Sequence, residues 1–123
     1  MKRLVAAAII SASISCAPHT QARVVPVLAR QPVLTFVATA YCRGTTTRAG
    51  TRVGPGVIAA DPAVLPIGTQ VRISGMTGAY DGIYTVMDTG PRIRGRRIDL
   101  YVTNCAEAVR FGRQHADLVV LNR

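Results

Sequence analysis

Two carboxylates in one short run, MDTGPRIRGRRIDLYV from Met87 to Val102, are the side chains best suited to chemistry in this sequence. Asp88 opens the turn Thr89-Gly90-Pro91 and follows the strand-like Ile83-Tyr84-Thr85-Val86. Asp99 lies inside a second strand-like run, Ile98-Asp99-Leu100-Tyr101-Val102. Aspartate is depleted in strands, and its ionised form is costly to bury without partners. Asp99 therefore calls for either a polar cluster around it or a raised pKa. Arg92, Arg94, Arg96 and Arg97 lie between the two acids. The pattern is an acidic site beside a basic rim, with the arginines expected on that rim.

The elements that must hold these residues read as short strands. Val33 to Tyr41 alternates β-branched and aromatic residues with a second face, and Thr69 to Ile73 alternates in the same way. Val57 to Ala60 is a short apolar strand, Ile83 to Met87 delivers Asp88, and Asp117 to Leu121 is a last apolar run. Arg43 to Gly56 is a long polar loop, a common place for substrate contacts, although any single residue in it also fits a plain connector. Asp61-Pro62 has the form of an N-cap followed by Pro at the first helical position, so a helix is expected to start there. Asp81-Gly82 suits a turn. Asn104 with Glu107 three residues on resembles a capping box, Ala108 to Phe111 continues a short helix, and Gly112 is placed to end it. Six strands with one or two short helices make a small, mostly β domain, of a length suited to a closed barrel.

The totals bound the setting. The 123 residues suffice for one core, and fifteen Lys+Arg against six Asp+Glu give +9 at neutral pH. All but one of these cations are arginines, the residue suited to bidentate contact with carboxylate or phosphate. This charge implies an acidic partner: a nucleic acid, an anionic membrane surface or an anionic polymer. No nucleic-acid-binding motif is present, so no nucleic acid is expected as partner. Residues 1–22 have the layout of a secretory signal peptide, with Lys2-Arg3, the apolar Leu4 to Ile14 and the small-residue end Thr20-Gln21-Ala22. Ser13-Ile14-Ser15-Cys16 is a second processing possibility, in which a lipid on Cys16 anchors the chain to a membrane. Residues 23–32, with Pro26 and Pro32, form a mobile lead-in, and residues 33–123 the domain. After export the two remaining cysteines, Cys42 and Cys105, are most simply a disulfide. The competing reading, a catalytic cysteine, has only His115 as partner and no local support. No metal or other cofactor is implied.

The order of short motifs then meets a family. Ala38-Thr39-Ala40-Tyr41, Gly56 to Pro62 (GVIAADP), Leu65 to Thr69 (LPIGT), Asp88-Thr89-Gly90, Arg94 to Tyr101 (RGRRIDLY) and Phe111-Gly112-Arg113 resemble, in sequence, the 3D (three-aspartate) domain. The resemblance runs from Thr35 to Leu121 and includes the catalytic barrel of the membrane-bound lytic transglycosylase A family. It implies a six-stranded double-psi β-barrel. It also implies that Asp61, Asp88 and Asp99 share a pocket, with Asp99 as the catalytic acid, which moves Asp61 from cap to site member. The chain departs from the family pattern after Asp-Thr-Gly, where Pro91 and Arg92 replace a second glycine and a small residue.

The activity implied is cleavage of the MurNAc–GlcNAc β-1,4 bond of peptidoglycan, with the muramic 6-hydroxyl attacking its own anomeric carbon to leave a 1,6-anhydro end. A tethered nucleophile removes the need for a second catalytic carboxylate, so Asp99 serves as acid and then base. An apolar setting and the charges of Asp88 and Asp61 are expected to raise its pKa. Thr39, Tyr41 and Thr89 are candidate sugar contacts, each with strand packing or turn formation as its plainer role. Arg94 and its neighbours, expected on the rim, are candidates to meet the carboxylates of the peptide stems and lactyl groups on the glycan. The protein is expected to act as a monomer in the periplasm or cell envelope. The alternatives are a non-catalytic, expansin-like wall-binding module and a hydrolase using Asp88 or Asp61 as base.

Overall fold

The structure is a computed structural model that describes residues 5–18 and 30–123. Lys2-Arg3, the segment Thr20-Gln21-Ala22 and residues 23–29 of the lead-in lie outside the described residues. Residues 5–18 are exposed and carry no secondary structure. Among the described residues, no helix is long and apolar enough to cross a membrane.

Six strands follow one another as β1 (Leu34–Tyr41), β2 (Val57–Ala60), β3 (Gln70–Ser74), β4 (Gly82–Asp88), β5 (Arg97–Tyr101) and β6 (Gln114–Asn122). They close into a barrel in the order β1-β5-β2-β4-β3-β6, with β6 pairing back to β1. The β1–β5 and β2–β4 pairs are parallel and the other four antiparallel, so the barrel is mixed. Closure leaves no free sheet edge.

The period of two decides which residues form the core. Phe36 and Ala38 of β1, Ile58 and Ala60 of β2, and Val71 and Ile73 of β3 point inward. Val86 of β4, Ile98 and Leu100 of β5, and Ala116 and Leu118 of β6 complete the filling. Each fully buried Ile, Leu or Phe contributes about 2 kcal/mol by removal from water. The alternate residues, among them Thr39 and Asp99, stand on the outer face, so the catalytic candidates are kept off the core.

One α-helix, α1 (Cys105–Phe111), is present among the described residues. Asn104 caps it, its side chain accepting from the N–H groups of Ala106 and Glu107, and Gly112 closes it at φ 61° with an N–H bond back to Ala108. Glu107 does not complete a capping box. Its carboxylate instead accepts from the Tyr80 hydroxyl at 2.8 Å, tying the helix to the 3-10 turn Gly78–Tyr80. Cys42 and Cys105 form a disulfide that fixes the helix start to the end of β1.

The helix expected from Asp61-Pro62 is absent. A turn stands there, closed by the N–H groups of Val64 and Leu65 on the Asp61 carbonyl. Leu65 is drawn into the core, and Pro66-Ile67-Gly68 redirects the chain into β3, so the segment has no room to propagate a helix. Asp81 serves its turn as expected, accepting from the N–H groups of Gly75 and Met76.

Candidate active site on the outer face of the barrel

Four strands carry the site in one row. Asp99 on β5 lies opposite Thr39 on β1 and opposite Ala59 on β2, and Ala59 lies opposite Asp88 on β4. The two acids therefore flank Ala59, about 10 Å apart at two strand spacings. Ala59 itself is buried, so the two acids stand on either side of a covered residue.

Asp88 reaches this face through an irregularity. Val86 pairs with Ile58, both facing inward, yet the next pair is Asp88 with Ala59. Met87 is one residue too many on β4, a β-bulge that places Asp88 on the Ala59 face. In a regular ladder Asp88 would share the inward direction of Val86. The Met87 carbonyl accepts the N–H of Ala49 at 3.0 Å, which docks the Arg43–Gly56 loop against the bulge.

Three donors converge on Asp88. The N–H groups of Arg48 and Thr89 point to Oδ1 at 3.0 and 2.9 Å, and the Tyr41 hydroxyl donates to Oδ2 at 3.2 Å. Burial, with the neighbouring Asp88 charge, pushes the Tyr41 phenol far above its ordinary pKa, so it remains a donor. Its ring packs edge-on against Tyr101, centroids 5.5 Å apart. Arg48 has no signature a sequence could show, because its contribution here is a backbone N–H.

Asp99 has a different setting. It is half-buried, and its Oδ1 accepts from the Thr39 hydroxyl at 2.9 Å. Desolvation holds its pKa above the usual carboxylate range, with a further upward push from the Asp88 charge. The Thr39 bond and the Arg97 guanidinium oppose this without reversing it. Arg97 corrects the expectation that all four arginines occupy the rim. Arg92, Arg94 and Arg96 are exposed, whereas Arg97 is partly buried, its Nε without a hydrogen-bond partner. The cause is alternation: Arg97 and Asp99 are two residues apart on one strand and share a face.

Asp61 has its own set of partners. Its carboxylate accepts from the N–H groups of Ala63 at 3.0 Å and Gly95 at 2.9 Å, and Arg94 approaches to 3.9 Å. The Gly95 bond, then that of Ala63, holds its pKa below the usual range. Gly95 has φ +64°, which a glycine adopts without strain as it turns this N–H toward Asp61. Asp61 is not among the causes that raise Asp99, so that part of the expectation is corrected. It braces the loop that leads into β5. The loop between Asp88 and β5 is pinned by the buried Ile93, which packs closely on Gly90.

Next to the residues that flank Asp88 and Asp61, a cleft of about 570 Å³ is lined by Arg48, Pro62, Ile67, Thr89, Pro91 and Arg94. Thr89 contributes its N–H to Asp88 and also lines this cleft, and Arg94 is a cleft residue as well as the Asp61 neighbour.

The chain is thus a closed six-stranded mixed barrel with Thr39, Asp99, Ala59 and Asp88 in one outward row. Residues 56–122 match the model of the 3D domain, and the chain belongs to that family. Two Bacillus subtilis (strain 168) proteins are similar in sequence. YabE, named for cell wall shaping, is 33% identical over 73% of this chain and 23% of its own length. The cell wall-binding protein YocH is 38% identical over 54% of this chain and 21% of its own. The chain thus spans about a quarter of the length of the curated relatives it matches. Among solved structures, MltA from Escherichia coli superimposes with a TM-score of 0.53 at 15% identity, over 63% of this chain and 28% of that one. MltA with bound chitohexaose gives a TM-score of 0.53 at 16% identity, over 61% and 27%. These likenesses concern the barrel fold.

Proposed function

We propose that the protein is a lytic transglycosylase-like enzyme of the cell wall, cutting MurNAc–GlcNAc β-1,4 bonds with Asp99 as acid and base. The carrying observation is that Asp99 is half-buried beside Thr39 with its pKa raised by desolvation, while the pKa of Asp61 is lowered by N–H donors. Two carboxyls whose environments push their pKa values apart, here Asp99 and Asp61, divide into a proton donor and an anion.

Thr39 occupies Oδ1 of Asp99, which leaves Oδ2 to carry the proton. Oδ2 donates that proton to the glycosidic oxygen as the bond from the muramic C1 to this oxygen breaks. The muramic 6-hydroxyl oxygen attacks C1, and its proton passes to the Asp99 carboxylate, which restores the acid. No water is consumed, and the product is a 1,6-anhydro ring. Asp88, held by three donors, supplies fixed negative charge facing the positive charge that develops at C1.

The reading includes export to the cell envelope, supported by the leader-like residues 1–22, the Cys42–Cys105 disulfide and the wall-related names of YabE and YocH. YocH's name also favours a second reading, a wall-binding module without catalysis. Digestion of purified peptidoglycan, read by mass spectrometry with Asp99→Asn alongside, separates the two. Anhydro muropeptides that vanish in the variant support the enzyme. Reducing-end products point to hydrolysis. Absence of products with undiminished sedimentation on the wall sinks the enzyme reading.

A further inference from the structure

The cleft beside Asp88 is built differently from the row of acids. Arg48 and Arg94 both line it. Arg94 is 65% exposed at the side chain, and at 3.9 Å its contact with Asp61 is too long for a hydrogen bond. Arg48 forms no ion pair among the described residues, yet its backbone is fixed by its N–H bond to Asp88. Its neighbour Thr47 is buried and bonded to Thr51 at 2.8 Å, so the arginine projects from a firm base. Pro62 and Pro91 stiffen the walls, and Ile67, 41% exposed, supplies an apolar surface. Two arginines over a rigid, partly apolar cleft recognise a carboxylate carried on a small aliphatic group.

We infer that this cleft binds a carboxylate of the peptide stem on the glycan strand that lies across Asp99, which makes the protein selective for peptide-bearing over bare glycan. The inference rests on the glycan-cleaving reading above. The stem is the favoured occupant because it is attached to the sugar being processed and needs no second ligand. Asp88 lies about 10 Å from Asp99, and the cleft begins at its neighbours Arg48 and Thr89. An extended peptide of three residues spans about 10 Å. A stem leaving the muramic unit at Asp99 thus matches the spacing from Asp99 to Asp88, beside which the cleft begins.

The test is a binding measurement that needs no turnover. Soluble glycan strands bearing stems, and the same strands stripped by an amidase, are titrated into the protein with Asp99→Asn in the background. The expected result is about a tenfold preference for stem-bearing strands, equivalent to one good charge-assisted contact, weakening as salt is raised. Arg48→Gln and Arg94→Gln each reduce this ratio, and together bring it close to one. Arg48→Gln keeps the backbone N–H on Asp88, so the acid row stays in place. Arg72→Gln, on the exposed face of β3, retains the full ratio. Equal affinity for both strands in the parent overturns the inference, as does an equal loss in Arg72→Gln, which would mark a diffuse charge effect. Loss of anhydro products in the digestion assay concerns the enzyme reading alone and leaves this ratio measurable.

Discussion

Thr39 donates to Oδ1 of Asp99 at 2.9 Å from the neighbouring parallel strand, and this bond favours the charged form of the acid. Arg97, on the same face of β5, favours it too. An acid catalyst loses activity as pH rises through its pKa. Thr39→Val and Arg97→Gln each remove a stabiliser of the carboxylate, so both move the basic limb of the pH–rate profile to higher pH. The pair together moves it further than either alone. A shift to lower pH in these variants would contradict the assignment of Asp99 as the acid.

Asp99→Asn removes the titrating group. Activity on peptidoglycan is expected to fall by at least about a hundredfold, the usual contribution of a positioned acid or base. Stability moves the other way. The folded pKa is raised, so the contribution of Asp99 is full below the unfolded value and lost as pH rises through the folded one. The variant should therefore melt at a modestly higher temperature than the parent at neutral pH, with the difference closing near pH 3. Thermal melts across this pH range measure both ends.

Asp61 has the opposite sign. Its folded pKa is depressed, so its contribution is present above the unfolded value and lost as pH falls through the folded one. Asp61→Ala is expected to lower stability at neutral pH and to converge with the parent in strong acid. The amides of Gly95 and Ala63 lose their acceptor, and amide exchange at these two positions should quicken. Unchanged exchange there would deny Asp61 its bracing role.

The disulfide joins residues 63 apart in sequence. In the chain-entropy model a loop of that length stabilises the fold by about 4 kcal/mol. The double variant Cys42→Ser with Cys105→Ser should lose stability of that order in urea titrations. Its near-UV signal from Tyr41, next to Cys42, should change with it.

Much of this barrel is legible in the sequence because its strands alternate cleanly. Ile98-Asp99-Leu100 and Thr69 to Ile73 declare their inner faces by type alone, and the observed bounds differ by a residue or two. β6 is longer than its apolar run suggests, beginning at Gln114, because β1 offers partners to Gln114 and His115. The Asp61 turn misleads because a cap and a bracing carboxylate look alike until the Gly95 loop arrives from thirty-four residues away. Asp88 and Asp99 stand out by type and setting, but their shared face depends on a register shift that the sequence does not announce. Nothing in Thr85-Val86-Met87-Asp88 marks one residue as supernumerary.

That supernumerary residue separates two kinds of information in the chain. The core reads only the parity of Val86 and Ile58, and it is indifferent to the residues beyond them. The reactive surface reads the parity after Met87. Insertion or loss of a single residue at this point can rewrite the barrel's exterior while its interior stays the same, so barrels of equal stability can differ in whether they hold a second acid at all. Comparison of such chains by identity, without strand phase, will confuse the two.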